Sequence, residues 1–209
     1  MLDERHIDRI ADRVFARLRA DAHVCAGECG RQDAPTRPAA IPSGTHGVHV
    51  TVDDAVEAAR RAFERFRDES LDLRTRVVAA MREVTRRNVT ALSHYAQIET
   101  GLGRAQDKVQ KNLLVVDKTP GPEILRPGAF SGDDGLTIIE RAPFGVIGAL
   151  TPCTNPTETI LCNGIGMVAG GNAVVFGAHP LAWRTSAWPI HLLNEAIVAA
   201  GGPRELLNC

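Results

Sequence analysis

The sequence lacks any long apolar run. None reaches the ~18 residues of a membrane-spanning helix, which argues against such a span. It lacks an excess of one charge: 24 Lys and Arg face 25 Asp and Glu, for a formal net charge of -1. No global basic field exists to hold nucleic acid or an anionic membrane. The start, MLDERHIDRIADRVFARLRA, lacks the apolar core of a signal peptide, so a cytoplasmic protein is expected. It also lacks a disulfide framework. The cysteines, Cys25, Cys29, Cys153, Cys162 and Cys209, are odd in number and irregularly spaced, as expected of reduced thiols. His23, Cys25 and Cys29 do not complete the four ligands of structural zinc, and no metal is expected. What is present is ordinary: 209 residues, 44% hydrophobic and 23% charged, enough for a real core.

Residues 3–19 have apolar positions Ile7, Ile10, Val14 and Leu18 at helical spacing, with mixed charges on the other face. An amphipathic helix is expected over 1–20, too short to be stable alone. The Pro- and Gly-rich stretch 21–47 reads as a flexible linker. Order resumes at 48. Asp53 or Asp54 caps a helix to Arg67 with Val56, Ala59, Phe63 and Phe66 inward; helices over 73–88, 89–100 and 104–118 follow. Residues 124–130 and 136–141 flank SGDDG and predict a hairpin within 124–142.

Beyond Pro143 the pattern alternates: strand 146–150, helix 156–169, strand 173–176 and helix 186–200. The first strand is expected to be buried on both faces, and Ser186 to cap the last helix so that Pro189 falls in its first turn. This is a parallel βαβ unit, so the fold class is α/β. Only two parallel strands precede Gly201, and the chain reads as a fold cut in half.

TPCTNPTET, at the C-terminal end of the first parallel strand, is the most informative segment. Ligands of open α/β sheets bind at that end. Asn155, Pro156 and Glu158 form a capping box, which by itself is only a well-made helix start. The functional alternative is that Thr154, Asn155 and free amides face a ligand or a developing oxyanion. Gly164, Gly166 and Gly170 have neither the place nor the spacing of a dinucleotide fingerprint; they allow close helix–sheet packing. His179 either meets a ribose or caps the strand end. Cys153 has no base near it in sequence and is read as a lining residue, and Cys162 as core.

ETGLGRAQDKVQKN (99–112), GLTIIERAPFGVIGALTPCTNPTET (135–159) and GNAVVFGAHP (171–180) resemble, in order, the aldehyde dehydrogenase superfamily. The branch resembled is the coenzyme A-acylating propionaldehyde and acetaldehyde dehydrogenases of bacterial microcompartments. The resemblance runs from about residue 50 to the end. It implies a helical part of the cofactor domain at 48–123, an oligomerisation hairpin at 124–142, and the first half of a parallel-sheet NAD-binding domain at 143–209. It places Thr151, Pro152 and Cys153 beside the nicotinamide, and Gly177, His179 and Pro180 beside the adenosine ribose. Ungapped alignment puts Thr154 at the family's oxyanion asparagine, with Asn155 one further on, and both stay open. Gly177 stands where many members carry lysine, which favours NAD while leaving NADP open.

The family's catalytic cysteine matches neither Cys153 nor Cys209, so this chain alone is expected to be inactive. The resemblance further implies a small aldehyde as substrate, coenzyme A as co-substrate, a homo-oligomer through 124–142, and a microcompartment shell protein bound through 1–20. The rivals are a non-acylating aldehyde dehydrogenase and a non-catalytic cargo module.

Overall fold

The computed structural model describes residues 46–209. The helix expected over 1–20, and the linker expected over 21–47 apart from its last two residues, lie outside the described residues.

Helix α1 (Val52–Phe66) starts one or two positions before the predicted aspartate caps. Thr51 is the cap: its hydroxyl oxygen accepts from the Asp54 amide at 3.1 Å and donates to the Asp54 carboxylate at 2.7 Å. The helix buries Ala55, Ala58, Ala59, Ala62 and Phe66. Val56, expected inward, is exposed, because this alanine-rich face is the one set on the sheet. Residues 71–100, expected as two helices, form one helix of 30 residues, α2 (Leu71–Thr100). Nothing breaks it at Asn88, whose side-chain amide donates to the Val84 carbonyl one turn back at 2.8 Å. It ends at Gly101 with φ +67°, a left-handed cap. Helix α3 (Ala105–Lys118) follows.

Ile124, expected to open the first strand, ends a 3₁₀ turn (Pro122–Ile124), and the hairpin strands are β1 (Gly128–Gly132) and β2 (Gly135–Ile139). A two-residue Asp133–Asp134 turn sets the register, with Gly132 opposite Gly135. The parallel unit comprises β3 (Val146–Leu150), α4 (Pro156–Ala169), β4 (Ala173–Gly177), α5 (Trp183–Ala199) and the two-residue β5 (Leu207–Asn208). The sheet order is β3-β4-β5, with Leu150 opposite Gly177 and Val174 opposite Leu207. That is one flank of a doubly wound sheet, 3-2-1 in its own strand numbering.

Strand β4 is buried along most of its length, but β3 is not: Val146 and Leu150 are exposed, Leu150 at 89%. The expectation of a strand buried on both faces is therefore corrected. Among the described residues β3 is an edge strand with no neighbour on its outer side. The core gathers Phe66, Met81, Ile160, Leu161, Ile165 and Leu207 with the apolar faces of α1, α2 and α5.

The end of the supposed linker is built into this core. The Cys209 amide donates to the Gly47 carbonyl and the His49 amide to the Cys209 carbonyl, both at 2.8 Å. Gly47 has φ +87°, and a Cβ there would stand 2.0 Å from the Leu207 carbonyl oxygen, so only glycine fits.

Helix α5 begins one turn earlier than predicted, and Ser186 is not its cap. Its hydroxyl donates back to the Ala182 carbonyl at 2.9 Å. The cap comes from α2: the Glu99 carboxylate accepts from the Arg184 amide at 3.2 Å, from the Thr185 amide at 2.6 Å, and from the Thr185 hydroxyl. Pro189 thus lies inside the helix. Glu99→Ala should lower stability by about 1–2 kcal/mol, the usual worth of a helix cap reinforced by the dipole. Urea unfolding reads this as a lower midpoint at constant slope, and an unchanged midpoint would contradict it.

Candidate functional site

The site is built where β3 ends. The Asn172 side chain fixes the strand's start: its Oδ1 accepts from the Phe144 amide at 2.6 Å and the Gly145 amide at 3.0 Å. At the other end the Thr151 amide donates to the Gly177 carbonyl at 3.0 Å, so the two motifs, 151–155 and 177–180, adjoin at the C-terminal edge of the sheet. Thr151 is buried, Pro152 and Thr154 are exposed, and Cys153 and Asn155 are half-buried.

The capping box is corrected. The Asn155 side chain makes no capping bond; its Oδ1 accepts from Lys111 Nζ of α3, and its Nδ2 lies 3.4 Å from Thr154 Oγ1. An ammonium is a stronger donor than a helix amide and takes the carboxamide oxygen. Glu158 does not return to the cap either. It is 5% exposed, and neither carboxylate oxygen has a hydrogen bond. Its nearest cation is again Lys111, with Nζ 3.5 Å from Oε1. Lys108, only 3% exposed, donates to the Thr154 carbonyl at 3.1 Å. Two lysines of α3 thus clasp the turn. Both lie in the 99–112 motif, at i and i+3, a spacing that puts them on one helix face.

On the second motif, His179 Nδ1 accepts from the Leu181 amide at 3.1 Å. It thereby caps the short 3₁₀ turn Pro180–Ala182 rather than the strand end, and Nε2 is left without a partner among the described residues. Gly177 and Pro180 are exposed. A Cβ on Gly177 would stand 2.7 Å from the end of the Leu150 side chain, which would have to shift. Cys162, expected in the core, is exposed. It lies on the outer face of α4 with Gly166, beside a cavity of about 310 Å³ bounded by Thr119–Gly121, Ile124 and Leu125. Of the α4 glycines, Gly164 does pack, 3.4 Å by its would-be Cβ from Leu207; Gly166 has nothing near it.

The three described cysteines are free thiols, none within hydrogen-bonding reach of a base. Burial pushes the Cys209 thiol up to about 12 from an ordinary 9.0. No described helix is long and apolar enough to cross a membrane.

The aldehyde dehydrogenase family profile matches residues 34–209. The chain belongs to the aldehyde dehydrogenase family. It is 41% identical over 206 residues to an acetylating acetaldehyde dehydrogenase of Bilophila wadsworthia, covering 98% of this chain and 41% of that one. Among the solved structures that superpose on it are two propionaldehyde dehydrogenases. One is a propionaldehyde dehydrogenase from the Clostridium phytofermentans fucose utilisation bacterial microcompartment, with TM-score 0.73 and 48% identity over 75% of this chain and 36% of that one. The other is a Rhodopseudomonas palustris propionaldehyde dehydrogenase with bound propionyl-CoA, with TM-score 0.74 and 46% identity over 81% and 37%. The chain therefore spans about two fifths or less of the length of these relatives, and it shares their α/β fold.

Proposed function

We propose that residues 46–209 are the cofactor-facing part of an NAD-linked aldehyde dehydrogenase that converts a small aldehyde to its acyl-coenzyme A. One observation carries the reading: the 151–155 turn, clasped from α3, stands at the open end of β3, where a doubly wound sheet receives a dinucleotide. The residues present fit the cofactor. Leu150 offers an exposed apolar platform, Gly177 presents no side chain, and His179 Nε2 is uncommitted. Bound nicotinamide supplies the hydride acceptor. The chain's own residues orient it: Thr151, Pro152 and Cys153 border the nicotinamide, and Gly177, His179 and Pro180 border the adenosine ribose. Thr154 and Asn155 supply donors to the carbonyl oxygen as charge develops there.

The acylating relatives support coenzyme A as co-substrate. The hairpin at 124–142, whose strands are almost entirely exposed, is the surface proposed to join subunits. Residues 1–20, an amphipathic segment by sequence, are proposed to bind a shell protein and so place the protein inside a microcompartment.

NADH fluorescence titration of this chain tests the cofactor reading. NADH should bind more tightly than NADPH, because Gly177 offers no positive partner to a 2′-phosphate. Gly177→Glu, which requires the end of the Leu150 side chain to shift, should weaken NADH by about tenfold or more through charge repulsion and lost room. Unaltered NADH affinity in the folded variant would remove Gly177 from the site.

A further inference from the structure

Glu158, Lys111 and Asn155 form a chain of contacts that the helix itself does not need. Glu158 occupies the first turn of α4, where a carboxylate is favourable, but it is turned inward, with both oxygens shielded and neither hydrogen-bonded. A buried carboxylate without a partner is costly, and the cation 3.5 Å away is the only ion pair it makes among the described residues. Lys111 is half-exposed, with a long flexible stem. It would ordinarily sample many rotamers; here Glu158 restrains its ammonium, which then donates to Asn155 Oδ1.

We propose that Lys111, held by the buried carboxylate of Glu158, is the positioning residue that orients the Asn155 carboxamide so that its Nδ2 faces Thr154 and the open end of β3. The inference rests on the reading that the 151–155 turn faces the reacting carbonyl.

The reverse orientation of the carboxamide would put NH₂ against an ammonium, donor against donor, and is excluded by charge. With Oδ1 engaged, Nδ2 turns to Thr154 Oγ1, 3.4 Å away, and the paired ammonium makes the amide protons better donors. Lys108 secures the other side of the turn by its bond to the Thr154 carbonyl. The alternatives Thr154 and Asn155 are then one linked pair of donors, and the pair is set from α3. Lys111 acts through Asn155 and touches no substrate.

The test is the Asn155 side-chain amide signal in ¹⁵N-labelled full chain. Lys111→Met should move both Nδ2 proton signals toward those of free, exposed asparagine, and Lys111→Arg should restore most of the shift. Glu158→Gln should move the Lys111 Nζ and Asn155 Nδ2 signals together. Unmoved Asn155 signals in folded Lys111→Met would overturn the proposal. Should that variant fail to fold, Lys111→Gln, which keeps a polar stem and removes the charge, is the second variant: the Asn155 amide signals should again move toward those of free asparagine, and unmoved signals in it overturn the proposal. NADH titration of the same samples separates the two readings. Asn155 responding to Lys111 without NADH binding keeps the positioning role and sinks the cofactor reading; NADH binding with Asn155 indifferent to Lys111 does the reverse.

Discussion

Assayed with acetaldehyde or propionaldehyde, NAD and coenzyme A, these 209 residues should form NADH at least about 10⁴-fold more slowly than the roughly 10 s⁻¹ of a typical enzyme. The reason is the state of the thiols. Covalent aldehyde oxidation needs an activated thiolate, formed by an adjacent base or a lowered thiol pKa. Cys209 is mostly buried, and its thiol, pushed up to about 12, is almost wholly protonated at neutral pH. Cys162 lies on the outer face of α4, away from the 151–155 turn, and Cys153 has no described base as a hydrogen-bond partner. On the proposed reading the turn orients a carbonyl, but no described group is prepared to attack it. Turnover near enzyme rates that Cys153→Ser abolishes would show that the nucleophile stands in the turn after all.

The same burial makes stability depend on pH. Folding holds the Cys209 thiol protonated while the unfolded chain ionises near 9.0, so stability is full below pH 9 and declines as pH rises from there toward 12. Cys209→Ser should flatten that decline.

Self-association should be the dominant solution behaviour of the chain. Phe130, Leu136, Ile138 and Ile139 on the hairpin are all more than half exposed, and Phe144 and Leu150 lead on to the open edge of β3. Apolar area of this extent, next to unpaired strand groups, finds a partner at micromolar concentration. Sedimentation should show an apparent mass that rises with concentration. Leu136→Lys with Ile138→Lys should weaken association by about a hundredfold or more, since each apolar side chain buried at an interface is worth roughly 1.5–3 kcal/mol. A compact monomer at every concentration would remove the hairpin from any interface.

Local chemistry made the β3–α4–β4 segment readable. An apolar run, an Asn-Pro start and a Gly-Gly-Asn stop bracket it, and each element falls within one residue of its predicted bounds. What escaped were properties set by distant partners. The start of α5 depends on Glu99, 85 residues before it, so no local cap marks it. The exposure of β3 depends on which strand lies beside it, and an apolar run alone reports only that it can be buried. Within the site, the turn and the strand ends were legible from their place in the βαβ unit. The two lysines were not, because their partners lie 44 to 47 residues away and lysines on a helix usually mean a wet face. Their i, i+3 spacing within a quoted motif was the available signal.

The central claim is that a nicotinamide cofactor binds across the ends of β3 and β4. The direct measurement is a residue-resolved map of amide shifts as NADH is added to the ¹⁵N-labelled chain. Saturable shifts confined to Thr151–Asn155 and Gly177–Pro180, with β1 and β2 silent, are expected. No saturable shift at millimolar NADH, or shifts centred on the cavity beside Cys162 instead, would contradict it.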